Sequence, residues 1–175
     1  MISARAARTL TRYNAWSNKI WFDAVAALPS GEATKERPSL FRNMVHTLNH
    51  NYVIGMIWQA HLEGREHGLA SRNTPDHPAL DELLRKQQEI DTWYVKWSDA
   101  VTDTALEQRR TVSLIGGNQV TMSRGEMLLH LCQHTAYHRG FVGDMFYAVP
   151  GCRPPVTDLP VFLREVPQDY LDKMR

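Results

Sequence analysis

Two pairs of histidines at a spacing of four, His46/His50 and His134/His138, are the residues of this chain whose type and placement could do chemistry. A step of four along an α-helix is about 40° of rotation and about 6 Å of rise, so both imidazoles of a pair leave the same face, one above the other. A divalent ion asks that of two histidines, with each nitrogen about 2.0–2.1 Å from it. His134 and His138 fall in Leu131-Cys132-Gln133-His134-Thr135-Ala136-Tyr137-His138-Arg139-Gly140, inside a run that reads as helix.

Met127, Leu131, Val142, Met145 and Val149 mark the apolar stripe of that helix, and His134 and His138 fill the gaps in it, so both rings point into the fold. A buried neutral imidazole needs a partner, and a metal supplies one. His130 continues the series, but eight residues put it about 12 Å from His138 along the axis. It reads as a rim residue. On the earlier helix, Phe41, Val45, Leu48 and Tyr52 form one stripe and His46, His50, Ile54, Ile57 and His61 another. A helix apolar on two sides is covered on both, by the bundle and by a neighbouring element or subunit. If the His46/His50 side looks inward, one or both of these residues can join His134 and His138. Three histidines with an open position would make a hydrolytic or lyase-type centre, whereas four would make a structural ion.

The remaining candidates read as ordinary. His61, His67 and His77 sit at a helix end or in the loop 64–78, where solvated histidine is common. Cys132 projects roughly 160° from His134 and is a small core residue rather than a ligand. Arg139 either supports the site, contacts a substrate anion or makes an exposed salt bridge. The five tryptophans fall at helical spacings and serve packing. There is no HExxH, GxSxG, GxGxxG or P-loop pattern, and no residue is assigned a catalytic role.

Four long segments with helical periodicity must position the histidines, at about 3–28, 38–63, 78–101 and 123–149. Pro29-Ser30-Gly31 stops the first, whose stripe is Leu10, Tyr13, Ile20, Trp21, Ala24 and Leu28. Pro38 opens the second and Gly64 follows it. The third opens at His77-Pro78. Ser123 and Glu126 form a capping box for the fourth, which ends at Val149-Pro150-Gly151. Between the third and fourth, Thr111–Ile115 and Gln119–Met122 flank Gly116-Gly117-Asn118 and read as a hairpin. A short helix around Leu159–Glu165 is the most the Pro-rich tail offers. The expected fold is all-α, an up-down four-helix bundle with a small β-hairpin between the third and fourth helices, as one domain over residues 1–175.

Lys and Arg number 20 against 19 Asp and Glu, so a net charge of +1 gives no footprint for nucleic acid or anionic lipid. Cys132 and Cys152 are too few for a disulfide framework and neither belongs to a CxxC. Arg5, Arg8 and Arg12 near the start precede no apolar run of the signal-peptide kind, and no segment approaches a membrane span. A soluble, reduced, cytoplasmic protein is expected.

The chain resembles the DinB/YfiT-like family of metalloenzymes through nearly its whole length. The resemblance is carried by Tyr13-Asn14-Ala15-Trp16-Ser17-Asn18 with Leu28-Pro29, Thr47-Leu48-Asn49-His50 with Trp58, His134-Thr135-Ala136-Tyr137-His138-Arg139-Gly140, and Pro154-Pro155-Val156-Thr157-Asp158-Leu159. It implies a four-helix bundle, a homodimer, and a divalent ion, Zn or Ni, held by His50, His134 and His138. Many relatives carry an acidic residue five positions after the second-helix histidine, where this chain has Gly55. Some resemble thiol-dependent S-transferases, in which the metal lowers the pKa of a small thiol, and others hydrolases or isomerases. The expected function is therefore a metal-dependent enzyme activating a thiol or water on a small substrate. The alternative is a non-catalytic metal-binding, dimerising bundle whose ion only staples helices.

Overall fold

The computed structural model describes residues 2–174. Its long helices are α1 (Ala4–Ala26), α2 (Met44–Glu63), α3 (Leu80–Ala100) and α5 (Arg124–Tyr147), joined by three short ones, α4 (Asp103–Glu107), α6 (Leu159–Glu165) and α7 (Gln168–Asp172). Strands β1 (Arg109–Ser113) and β2 (Gln119–Ser123) pair antiparallel with Thr111 opposite Thr121. The turn between them uses Gly116 and Gly117 at φ of 102° and 88°, a region closed to most side chains. The all-α bundle with its hairpin is as the sequence implies. No described helix is long and apolar enough to cross a membrane.

Local signals set the helix ends. Ser3 accepts from the Ala6 N–H at 3.2 Å to open α1. Ser123 and Glu126 form the full capping box of α5, worth about 1 kcal/mol against alanine at the cap. α2 starts at Met44, not near Pro38, because Asn43 caps it by accepting from the His46 N–H at 2.8 Å. Ahead of that cap, Arg42 turns left-handed at φ 64°, which breaks any helix running in from Pro38. Phe41 thus lies in a turn rather than on the helix. α2 ends where Gly64 adopts φ 78°.

The long helices form a ring in which α1 packs chiefly on α3, α3 also on α2, α2 on α5, and α5 on α1. Two apolar clusters fill it. One joins Val53, Ile57 and Leu62 of α2 to Ile90 and Tyr94 of α3 and to Met127, Leu128 and Leu131 of α5. The other joins Trp21, Phe22 and Val25 of α1 to Met44 and Leu48 of α2 and to Val142, Met145 and Phe146 of α5. Between the clusters each helix contributes buried polar residues, among them Asn14, Asn18, His50, Asn51, Gln87, Asp91, Thr135, His138 and Arg139. This polar layer displaces the expected stripe of α1. Leu10, Ile20, Ala24 and Leu28 are half-buried, and the face turned inward runs Ala7, Thr11, Asn14, Asn18, Trp21 and Val25.

α2 is buried almost all round by α3, α5 and the residues that follow Gly64, so its two-sided apolar pattern needs no second subunit. In the tail, Phe162 of α6 is fully buried against Tyr13 and Trp16 at ring distances of 5.8 and 5.4 Å.

Candidate metal centre

His50 comes from the middle of α2, and His134 and His138 from successive turns of the facing α5, at the edge of the polar layer. The structure brings these three together: one nitrogen from each ring lies within 4.8 Å of the others. The Nε2 atoms of His50 and His134 face each other at 2.9 Å. The His138 ring sits with its centroid 4.5 Å from each of the other two. His50 and His138 are buried, and His134 is half-buried. Phe41 covers the group from outside, stacked on His50 at 4.3 Å and 5.5 Å from His138.

The loop between α2 and α3 fixes the orientation of His50. Its Nδ1–H donates to the Arg72 carbonyl at 2.7 Å, which leaves the Nε2 lone pair aimed at the cluster. The loop is itself pinned. The Asn49 amide donates to Asn73 Oδ1 at 2.6 Å and to Thr74 Oγ1, and the Asn73 amide donates to the His46 carbonyl at 3.0 Å.

Burial pushes His134 down to about 3, with the neighbouring His138 and His50 adding to the effect. Burial, then His50, pushes His138 down to about 4. Burial also holds His50 below its ordinary value against the opposing pull of the Arg72 carbonyl. All three rings are therefore neutral at pH 7, the form that ligates metal.

The donor set suits an ion. Neutral imidazoles with no carboxylate among them match zinc, nickel, copper or iron rather than calcium or magnesium. Metal-ligating histidines characteristically donate their other N–H to a carbonyl or carboxylate, as His50 does to Arg72. His138 Nδ1 is buried with no hydrogen-bond partner, a state that a neutral ring in an apolar setting pays for in lost solvation. Two nitrogens bound at about 2.0–2.1 Å to one tetrahedral ion stand about 3.3 Å apart, close to the 2.9 Å seen here.

The other candidates fall elsewhere. His46 does not join the cluster; its Nε2–H donates to the Thr74 carbonyl at 2.8 Å. His130 is half-buried at the rim, 4.7 Å from Trp58 and 5.5 Å from His134 by ring centroids. His61 is not solvated as expected but 4% exposed. Its ring packs on Trp58 and His67 at 5.2 and 5.4 Å and borders a space lined by the chain after Gly64 and by strand β1. His67 is half-buried and accepts from the Leu69 N–H at 3.0 Å, while His77 is exposed.

Arg139 makes no exposed salt bridge. It is 2% exposed, and its Nη1 donates to the Oδ1 atoms of Asn14 and Asn18 at 2.9 and 2.8 Å, inside the polar layer. Cys132 is a buried free thiol pushed up to about 12 by burial. Position 55 faces α3: a Cβ there would meet Ile90 at 3.3 Å, and the Gly55 carbonyl accepts from the Tyr94 hydroxyl at 2.7 Å.

Three contributors escaped the sequence reading: Phe41, Arg72 and Asn73. Only Asn73, a turn-forming type in a loop, carried any local signal, and nothing in the spacing linked it to His50. Beside the histidines lies an apolar cavity of about 400 Å³ that reaches His134 and His130.

Residues 2–169 match the family model described as "DinB family". The chain is also similar to Protein DinB of Bacillus subtilis (strain 168), at 26% identity over 168 residues, covering 88% of this chain and 91% of that relative.

Proposed function

Because this chain belongs to the DinB family, we propose that His50, His134 and His138 hold one divalent ion, Zn or Ni, at the centre of a metal-dependent transferase or hydrolase. The observation that carries the reading is the 2.9 Å approach of two Nε2 atoms from separate helices, one of them aimed by a backbone carbonyl on its far side. A bound ion would supply Lewis acidity, lowering the pKa of a thiol or a water so that it can attack a small substrate.

The protein's own groups do the rest. The Arg72 carbonyl keeps the proton of His50 on Nδ1, so the ring presents only a lone pair inward. Phe41 excludes water from one side. His46, tied to Thr74, leaves three protein donors rather than four, and the cavity against His134 gives an outside molecule a way in. That opening favours an enzyme over a structural staple. One observation favours the staple: among the described residues, no carboxylate joins the histidine cluster to serve as a base. We further propose that residues 1–175 work as one domain and that the protein is a homodimer, measurable as twice the 20.1 kDa chain mass by light scattering.

Elemental analysis of protein purified without chelators tests the centre, with about one Zn or Ni per chain expected and none in His134→Ala. A wild-type protein free of metal, or a variant with unchanged content, would reject it. Small thiols tested with a model electrophile, and activated esters with water alone, then separate transferase from hydrolase. No turnover in a fully metal-loaded protein would leave the staple.

A further inference from the structure

Arg72 stands at the mouth of the apolar cavity beside His134 without a counter-charge. None of the ion pairs among the described residues includes it. One guanidinium nitrogen, Nη2, donates to the Ile115 carbonyl of the hairpin loop at 3.1 Å, which ties the group to another lining residue of the cavity. The remaining N–H groups make no hydrogen bond to the described residues and are free for a ligand. The walls are Ile54, Ile57 and Trp58 of α2 and Leu114, Ile115 and Met122 of the hairpin, with His130 and His134 of α5 also in the lining and no acidic residue among the described lining residues. At about 400 Å³ the space falls within the range of small-molecule sites.

Such a lining selects by charge. A cationic ligand is repelled by Arg72, and by an ion at the histidines as well. Arg72 is exposed at the rim, so its free donors stay hydrated and a neutral apolar ligand gains nothing from them. A polyphosphate or nucleic acid needs several cations, and the cavity offers one between apolar walls. A planar carboxylate matches the two-pronged guanidinium, and an apolar body matches the walls. We infer that this cavity binds a small apolar carboxylate, its carboxyl group on Arg72 and its hydrocarbon or aromatic body along Ile54, Ile57, Trp58 and Met122, beside His134. The inference deepens the proposed function by naming the class of substrate, and it rests on that reading only for the chemistry that follows binding.

Binding to metal-free full-length protein tests it without calling on the ion. The probes are 4-phenylbutyrate and its uncharged amide, titrated into protein carrying ¹³C-labelled Ile and Met methyl groups and followed by NMR. The carboxylate is expected to shift the methyls of Ile54, Ile57, Ile115 and Met122 and to bind about 10- to 100-fold more tightly than the amide. Arg72→Met should reduce carboxylate affinity to that of the amide and leave amide affinity as in wild type. Equal affinity for the two probes, shifts confined to other methyls, or a preference that survives Arg72→Met would overturn the inference. A metal-free native protein would overturn the proposed function while leaving these titrations readable, so the two failures are distinguishable.

Discussion

His50 and His134 lie 84 residues apart in the chain, yet their Nε2 atoms stand 2.9 Å from each other across the seam of α2 and α5. His46, one turn before His50 on the same helix, is turned aside by its bond to the Thr74 carbonyl. Spacing alone treats these two histidines of α2 as equals, and the geometry separates them. His46→Ala should therefore keep its metal, with Kd within about threefold of wild type, whereas His50→Gln should weaken it by more than about 100-fold, beyond the 10- to 100-fold typical of losing a supporting group. Competition against a chromophoric chelator measures both. Comparable losses in the two variants would put His46 on the ion and contradict the assignment.

Asn73 controls the loop that carries the Arg72 carbonyl, through its amide on the His46 carbonyl and its Oδ1 under Asn49. Asn73→Ala should free that loop and misdirect His50 without touching any proposed ligand. The expected loss in metal affinity is about tenfold, while the melting temperature of the metal-free protein changes by no more than about 3 °C, the equivalent of roughly 1 kcal/mol in a chain of this size. If stability falls as far as affinity does, the loop is a packing element and does not act through His50.

The sequence exposes some of this arrangement and hides the rest for physical reasons. The rise and rotation of a helix make His134 and His138 a pair before any coordinates are known, and the capping residues Ser123 and Glu126 and the glycines at 116 and 117 mark their elements directly. Choosing His50 over His46 was possible only through family resemblance, since the deciding contact comes from Thr74 in a loop that has no periodicity to read. His61 misled because a residue in the last turn of a helix is exposed unless other rings pack on it, and here Trp58 and, from the following loop, His67 do so. The exposed-salt-bridge alternative for Arg139 fails for a related reason. Its partners Asn14 and Asn18 sit on α1, where polar residues read as a solvated face, although they line the inside of the bundle.

Acid should destabilise the metal-free protein, and the sign follows from the neutral rings. In the unfolded chain each histidine takes up a proton near pH 6.5, whereas in the fold His134 and His138 resist until about 3 and 4, and His50 is also depressed. The unfolded state therefore binds more protons below pH 6.5, and stability falls from there towards pH 4. Asp91 opposes this. Burial raises its carboxyl from 3.8 to about 6, so over that interval the folded state binds the extra proton. Burial lowers His61 and His130 in the same direction as the cluster. With five rings against one carboxyl, the net fall in melting temperature between pH 7 and 4.5 should be at least about 4–8 °C, roughly 2 kcal/mol once the partly exposed rings are discounted for solvent screening. Thermal melts across that range check it, and His134→Ala should flatten the curve. A metal-free protein equally stable at both ends would mean that the rings are solvated.

Arg139 and Asp91 share the polar layer through Asn18, whose Oδ1 accepts from Arg139 while its amide donates to both carboxylate oxygens of Asp91 at 3.0 and 3.1 Å. Removing the guanidinium leaves Asn18 Oδ1 without that donor and a buried carboxylate without a nearby cation. Arg139→Met should thus cost about 1–3 kcal/mol in urea denaturation at pH 7, the range for a buried acceptor left without its donor. Asp91→Asn keeps a carbonyl for the Asn18 amide but no longer needs the cation, so the second substitution should restore part of the loss. A coupling of about 1–3 kcal/mol is expected from the double-mutant cycle. Strictly additive costs would show that the two charges do not sense each other through Asn18. In that case Arg139 would stabilise the bundle only through its hydrogen bonds to Asn14 and Asn18.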